Sequence, residues 1–166
     1  SCQGKSYAPT IDTASSICGN TITVVDTADT SSKQFPYGIR LYGENLTAND
    51  GIVLAGDYSA QNVNVSSNNI TISRGANAIW LVGTKNINVS QNTVLFNNSA
   101  YSTKDNVFGL RIENSTNATI NANTINANHI PYVQNVIILD KSKGVNIAGN
   151  TLTGAKKHGI NLTSSS

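Results

Sequence analysis

Methionine is absent from this 166-residue chain, tryptophan occurs once, cysteine twice and proline three times. Aromatic residues make up only 6% and charged residues only 12%, and each shortage removes a class of explanation. With a net charge of +2 and no run of Lys or Arg there is no phosphate-binding stripe, which excludes nucleic acid as an expected partner. No apolar run approaches the length of a transmembrane helix, so no membrane-spanning segment is expected. The nine carboxylates form no column, and His129 and His158 have no ligand-type neighbours at metal-binding spacing. Gly-rich phosphate loops, Gly-x-Ser-x-Gly and zinc motifs are all missing, so neither a metal nor another cofactor is expected. With no initiator Met and no signal-peptide pattern, the chain reads as a mature or trimmed product.

The two cysteines, Cys2 and Cys18, both lie near the N-terminus. A disulfide between them is expected in preference to two free thiols, and it would place the protein outside the cytosol, secreted or at the cell surface. Ser1-Cys2 also fits the remnant of a lipoprotein processing site.

What the chain does have is Asn, Ser and Thr in abundance, interleaved with apolar residues on a strict period. The stretch Asn62-Val63-Asn64-Val65-Ser66-Ser67-Asn68-Asn69-Ile70-Thr71 returns at residues 86–95, 117–126 and 144–153. Aligned, Val63, Ile87, Ala118 and Val145 form one column, and Val65, Val89, Ile120 and Ile147 a second. Asn68, Asn92, Asn123 and Asn150 form a third, and Ile70, Val94, Ile125 and Leu152 a fourth. Repeats of roughly 24 to 31 residues with apolar–polar alternation and no helical stripe indicate a β-solenoid. One coil cannot bury its own apolar face, so coils must stack like on like.

The segment Gly19-Asn20-Thr21-Ile22-Thr23 echoes Gly149-Asn150-Thr151-Leu152-Thr153, which puts Asn20 in the Asn column and opens the first coil. Residues 1–19 then read as a cap or tether, residues 20–163 as the solenoid and residues 164–166 as a tail. A second motif recurs as Gly38-Ile39-Arg40-Leu41, Gly51-Ile52-Val53-Leu54, Ala78-Ile79-Trp80-Leu81, Gly109-Leu110-Arg111-Ile112, Val136-Ile137-Ile138-Leu139 and Gly159-Ile160-Asn161-Leu162. Because strand neighbours alternate faces, its second and fourth side chains point inward. The expected fold is therefore all-β, a parallel β-helix of about five to six coils with three short strands per coil. Insertions at residues 97–105 and 129–134 are expected to emerge as loops on one face.

These coils resemble the parallel β-helix repeats of the pectin-lyase-like superfamily, including its NosD-type surface and periplasmic proteins, over about residues 19–163. The resemblance implies a right-handed helix. It implies no single activity, since the superfamily spans polysaccharide lyases, hydrolases, epimerases, phage tailspikes, adhesins and structural proteins. Its galacturonase branch carries Asn-Thr-Asp, Asp-Asp, His-Gly and Arg-Ile-Lys. This chain has Asn49-Asp50-Gly51 and His158-Gly159, but Ala76-Asn77 at the place of the paired aspartates and no Arg-Ile-Lys after His158. A glycoside hydrolase needs two carboxylates at a fixed separation, so that activity is not implied. For a lyase, Lys85, Arg111, Lys141 and Lys143 with Asp140 nearby are the candidates, and each reads first as surface charge. These residues lean against an enzyme without deciding the question.

The column Asn20, Asn68, Asn92, Asn123 and Asn150 reads as a structural ladder: Asn tolerates left-handed backbone at tight turns, and stacked amides bond coil to coil. Between the inward pairs of the second motif lie Arg40, Val53, Trp80, Arg111 and Ile138, where apolar Val53, Trp80 and Ile138 stand at solvent-facing positions. Either the inserted loops cover this column or it is a contact surface, for a sugar ring on Trp80 or for a neighbouring subunit. Among the Asn-x-Ser/Thr sequons, Asn97 and Asn114 lie at or near loops and are the candidate glycosylation sites. The expected function is structural: an extracellular subunit that self-associates, as a homo-oligomer or polymer, into a sheath, filament or surface layer. The alternatives are a polysaccharide-binding or polysaccharide-cleaving β-helix, such as a tailspike or a secreted enzyme fragment, and a surface adhesin.

Overall fold

A computed structural model describes residues 2–3, 15–25, 37–43, 60–73, 76–97, 107–128 and 133–165. All regular structure among them is β. A short strand, β1 (Cys2–Gln3), precedes the first coil, which consists of β2 (Ser15–Cys18), β3 (Thr21–Val25) and β4 (Tyr37–Tyr42). The second coil holds a two-residue β5 (Ala60–Gln61), then β6 (Val63–Ser66), β7 (Asn69–Ser73) and β8 (Asn77–Val82). The third is β9 (Thr84–Ser90), β10 (Thr93–Phe96) and β11 (Val107–Glu113), and the fourth β12 (Thr116–Asn121), β13 (Thr124–Asn126) and β14 (Val133–Asp140). The fifth is β15 (Asn146–Ala148), β16 (Thr151–Thr153) and β17 (His158–Thr163).

Corresponding strands pair in parallel and build three sheets. Sheet I runs β2-β6-β9-β12-β15, sheet II β3-β7-β10-β13-β16, and sheet III β1-β4-β8-β11-β14-β17. The chain is thus a parallel β-solenoid with three strands per coil, five coils among the described residues. The register is the one the repeats imply. Ile17, Val65, Val89, Ile120 and Ile147 are successive partners in sheet I, and Ile22, Ile70, Val94, Ile125 and Leu152 in sheet II. In sheet III the column is Leu41, Leu81, Ile112, Leu139 and Leu162. Val65, Ile70, Ile112 and Ile120 are sealed from solvent. Fully burying a side chain of this size contributes about 1.5–3 kcal/mol, which is how short strands without a helix hold a core. The approach between sheets is close at Gly109, where a Cβ would come 2.6 Å from Ile125 Cγ2.

Single left-handed residues make the corners. One set is Asn62, Asn86, Asn117 and Gly144; a second is Gly19, Ser67, Gln91, Ala122 and Gly149; a third is Gly83, Asn114, Lys141 and Ser164. In the second and third sets one such residue bends the chain from sheet to sheet without a loop, while Asn86 and Asn117 of the first set bend it inside β9 and β12 of sheet I. This corrects the expected role of the ladder asparagines: the left-handed residue is the one before each of them (Ser67 at φ 55°, Gln91 at 56°, Ala122 at 53°). The ladder Asn needs only its amide, while the conformational tolerance of Asn is used at 62, 86 and 117.

Three expected boundaries shift. The stack begins at Ser15, since β2 pairs with β6, so residues 15–19 belong to the first coil rather than to a cap. Val133 and Gln134 are already part of β14, which shortens the second expected insertion. Ser165 is no tail residue, because its Oγ accepts the Ser142 N–H at 3.1 Å. The strand expected at Gly51–Leu54 lies outside the described residues.

Candidate functional site

Sheet III carries the chain's only tryptophan on its outer face, and its register sets Arg40 beside Trp80, Trp80 beside Arg111, Arg111 beside Ile138, and Ile138 beside Asn161. Because β4 pairs directly with β8, no strand separates Arg40 from Trp80, and the expected place of Val53 between them does not exist. Val53 itself lies outside the described residues. Trp80 is half-buried, and the chain's own side chains occupy its surroundings. The Arg40 guanidinium carbon lies 4.6 Å from its ring centroid, and that of Arg111 lies 5.7 Å away. Tyr37 packs on it at 5.1 Å, tilted, and Phe108 edge-on at 6.4 Å. Arg40 also sits 5.4 Å from the Tyr37 ring and 5.0 Å from the Tyr42 ring. Cation–π contacts of this kind contribute about 0.5–2 kcal/mol each, more as water is excluded.

Arg111 is held between two carboxylates on adjacent strands, Glu113 at 3.1 Å and Asp140 at 3.3 Å. Of the four basic candidates with Asp140 nearby, Arg111 is thus the one whose side chain the acid pairs with. Burial pushes the Tyr37 phenol above its ordinary value, against the opposing pull of Arg40 and Arg111. Among the described residues four buried side-chain atoms of sheet III have no hydrogen-bond partner, Arg40 Nε, Trp80 Nε1, Arg111 Nε and Gln134 Oε1, while Glu113 Oε2 has the Arg111 ion pair. Of the remaining lyase candidates, Lys85 and Lys143 both pair with Thr116, at the entry to sheet I. His158 Nδ1 lies 2.9 Å from Asn135 Oδ1, while His129 lies outside the described residues.

The Asn column is a continuous ladder. Each Oδ1 accepts two donors from the preceding coil: Asn20 N–H (3.1 Å) and Nδ2 (2.9 Å) on Asn68, then Asn68 likewise on Asn92. Asn92 does the same on Asn123 and Asn123 on Asn150, at 2.9–3.0 Å. The second amide hydrogen goes to a strand carbonyl, Ile17 from Asn68, Val65 from Asn92, Val89 from Asn123 and Ile120 from Asn150. Every polar atom of the interior amides is thereby used, which leaves them no capacity for a ligand.

A second ladder, not expected from the repeats, lines the corner between sheets III and I. Thr84 N–H donates to Ser115 Oγ at 3.0 Å, Ser115 N–H to Ser142 Oγ at 3.2 Å, and Ser142 N–H to Ser165 Oγ. Its signal was a hydroxyl residue three positions after each inward residue of Leu81, Ile112, Leu139 and Leu162, hidden by the general excess of Ser and Thr.

The C-terminal coil is the other exposed feature. Leu162 is 61% exposed and Ile160 42%, although both continue core columns, and Val145, Ile147 and Leu152 are only partly covered. At the opposite end Ile17 and Ile22 are partly covered too. Cys18 is a free, exposed thiol, not bridged as expected: it ends a strand of sheet I, whereas Cys2 pairs with Leu41 in sheet III. The Ser66 hydroxyl, 3.1 Å from Sγ, lowers the Cys18 pKa. Of the sequon residues, Asn97 is exposed at the end of β10 and Asn114 is half-buried at a corner.

Comparison of the chain with protein-family models, curated proteins and solved structures gives no match. Among the described residues no helix is long and apolar enough to cross a membrane.

Proposed function

We propose that the protein is a structural subunit, a β-solenoid of the right-handed, pectin-lyase-like kind that self-associates end to end into a filament, sheath or surface layer outside the cell. The observation that carries this reading is that each coil is sealed by what stacks on it: Ile137 and Leu139 are buried beneath β17, whereas Ile160 and Leu162 of β17 face solvent. A parallel coil end also leaves a row of backbone N–H and C=O groups unpaired, and a second solenoid satisfies both needs at once. With Cys18 free, the extracellular placement no longer draws on a disulfide; labelling of intact cells by a membrane-impermeant reagent tests it. Self-association is tested by sedimentation across micromolar concentrations. Growth of large species with concentration is expected, and a single sharp monomer boundary throughout would remove the reading.

A second reading, a polysaccharide-binding surface on sheet III, is favoured by the unpartnered nitrogens of Trp80 and of Arg40 and Arg111 over its ring. These groups are covered and Trp80 is flanked by arginines, so a sugar would have to displace contacts already made, which is why this reading ranks second. Trp80→Glu separates the two: it should leave end-to-end association intact but abolish any binding of acidic and neutral polysaccharides measured by affinity electrophoresis or titration calorimetry.

A further inference from the structure

We propose that the outer face of sheet II binds the ordered water of an ice crystal, a property of the single subunit that stands apart from self-association. Its five strands set two rows of side chains outward. The first row is Thr21, Asn69, Thr93, Thr124 and Thr151, every one of them exposed. The second is Thr23, Thr71, Leu95, Asn126 and Thr153, exposed or half-buried. Seven of these ten positions are Thr and two are Asn, so nine present a group that bonds to water. Successive strands lie about 4.8 Å apart, and outward neighbours along one strand about 6.6 Å apart. The polar groups therefore form a rectangular net whose two spacings approach the oxygen repeats on a prism face of hexagonal ice.

Three observations single out this face. It is the straightest: pairing from β3 to β16 runs without a register shift, and none of the five strands contains a left-handed residue. Sheet I bends at Asn86 and Asn117 inside its strands, and sheet III shifts register between Val107 and Phe108. Sheets normally twist, and flat ones are held by side-chain ladders. The stacked amides of Asn68, Asn92, Asn123 and Asn150 supply such a ladder one residue before each strand from β7 to β16. Second, the bonding capacity of the face is largely unspent. Among the described residues its side-chain pair is Thr153 Oγ1 donating to Asn126 Oδ1 at 3.3 Å. On sheet I, by contrast, Asn88 donates to Asn64 and Ser90, and Asn64 to Ser66. Third, no residue of the five strands is charged, and their one aromatic ring, Phe96, is buried. An uncharged face complements a neutral lattice rather than a polyelectrolyte, and without an exposed ring it offers a sugar no platform. Threonine is stiff at χ1, so its methyl and hydroxyl are held in place before the lattice arrives. Each contact is weak, but a lattice repeats without limit and engages all of them together.

The test grows ice slowly from a dilute solution of the full chain mixed with serum albumin, and measures the share of each protein taken into the solid. Enrichment of the chain over albumin is expected, together with facetting of the crystals; equal shares overturn the proposal. Thr124→Tyr, inside the first row, should reduce the enrichment by on the order of tenfold while leaving sedimentation unchanged. Leu95→Thr, which completes the hydroxyl and amide pattern of the second row, should raise it. If Thr124→Tyr fails to reproduce the parent's circular dichroism, Thr93→Lys at the neighbouring exposed position replaces it. Parent-like enrichment of Thr124→Tyr or of its replacement overturns the assignment to sheet II. An unchanged or lower enrichment of Leu95→Thr overturns the lattice match. Retention on insoluble chitin or cellulose without enrichment in ice overturns the proposal in favour of a sugar lattice. Loss of self-association in Thr124→Tyr with ice enrichment unchanged makes the face a contact between copies and overturns it too. Sedimentation reads self-association separately, so that reading and this one can fail independently.

Discussion

The fourth coil and the fifth are made from the same columns, yet one is sealed and the other open. Ile120 and Ile147 are register partners of identical chemistry, the first 0% exposed and the second only partly covered. Leu139 is 3% exposed and its partner Leu162 61%. Nothing in the side chains themselves separates these pairs; what differs is that the described residues stack a further coil on the first member of each pair and none on the second. Burial in a solenoid is conferred by the neighbour, and each interface stabilises both coils that share it. The open coil is therefore the place where a change should be felt least by the fold and most by assembly.

The largest contrast should come from charge. Ile120→Asp puts an unpaired carboxylate into a fully sealed column and should prevent folding, seen as loss of the β signal in circular dichroism. Leu162→Asp should cost the isolated chain less than about 1 kcal/mol, because its side chain already meets water. Equal damage from both would break the comparison.

Next in size is the ladder. Asn92→Ala removes the acceptor of two Asn68 donors and a donor to Val65 O and Asn123 Oδ1, all buried. The loss should be about 2–4 kcal/mol in urea unfolding, from several stranded groups at about 1–3 kcal/mol each, partly relieved by water. Asn150→Ala, at the open coil, should cost about 1 kcal/mol. A difference larger than this would sharpen the contrast between sealed and open coils.

A smaller effect sets the outer face of sheet III against the interior columns. Tyr37 keeps its proton to higher pH when folded than when unfolded, because burial disfavours the phenolate. Its contribution to stability is thus fully present below the ordinary phenol value of about 10 and is lost as pH rises through the folded value. Alkaline melting curves should show a steeper loss for the parent than for Tyr37→Phe, and identical curves would mean that Tyr37 is as solvated as a free phenol.

The smallest change concerns the first coil. Iodoacetamide at neutral pH should alkylate Cys18 in the native protein without altering its melting temperature, read by peptide mass spectrometry. An unreactive Cys18 would mean that the thiol is bridged or covered after all.

The amino-acid sequence by itself determined the columns. Alternation places Val65, Val89 and Ile120 on one face, and the recurrence of Asn68, Asn92, Asn123 and Asn150 at one position in each repeat fixes which side chains stack. Both facts are local and repeat, so they are legible without coordinates. The Ser115–Ser142–Ser165 ladder was written just as regularly but could not be told from a surplus of hydroxyl residues until its N–H partners were known. Which residue of a corner turns left-handed, Gln91 or Asn92, depends on the angle between sheets, and one position along the chain does not encode it. Only the tertiary structure decided that Arg40 lies directly against Trp80, that Asp140 serves Arg111, and that Cys18 and Cys2 belong to different sheets. Those outcomes depend on which strands become neighbours across unequal connections, and a repeat pattern specifies what stacks well without specifying what is finally placed next to what.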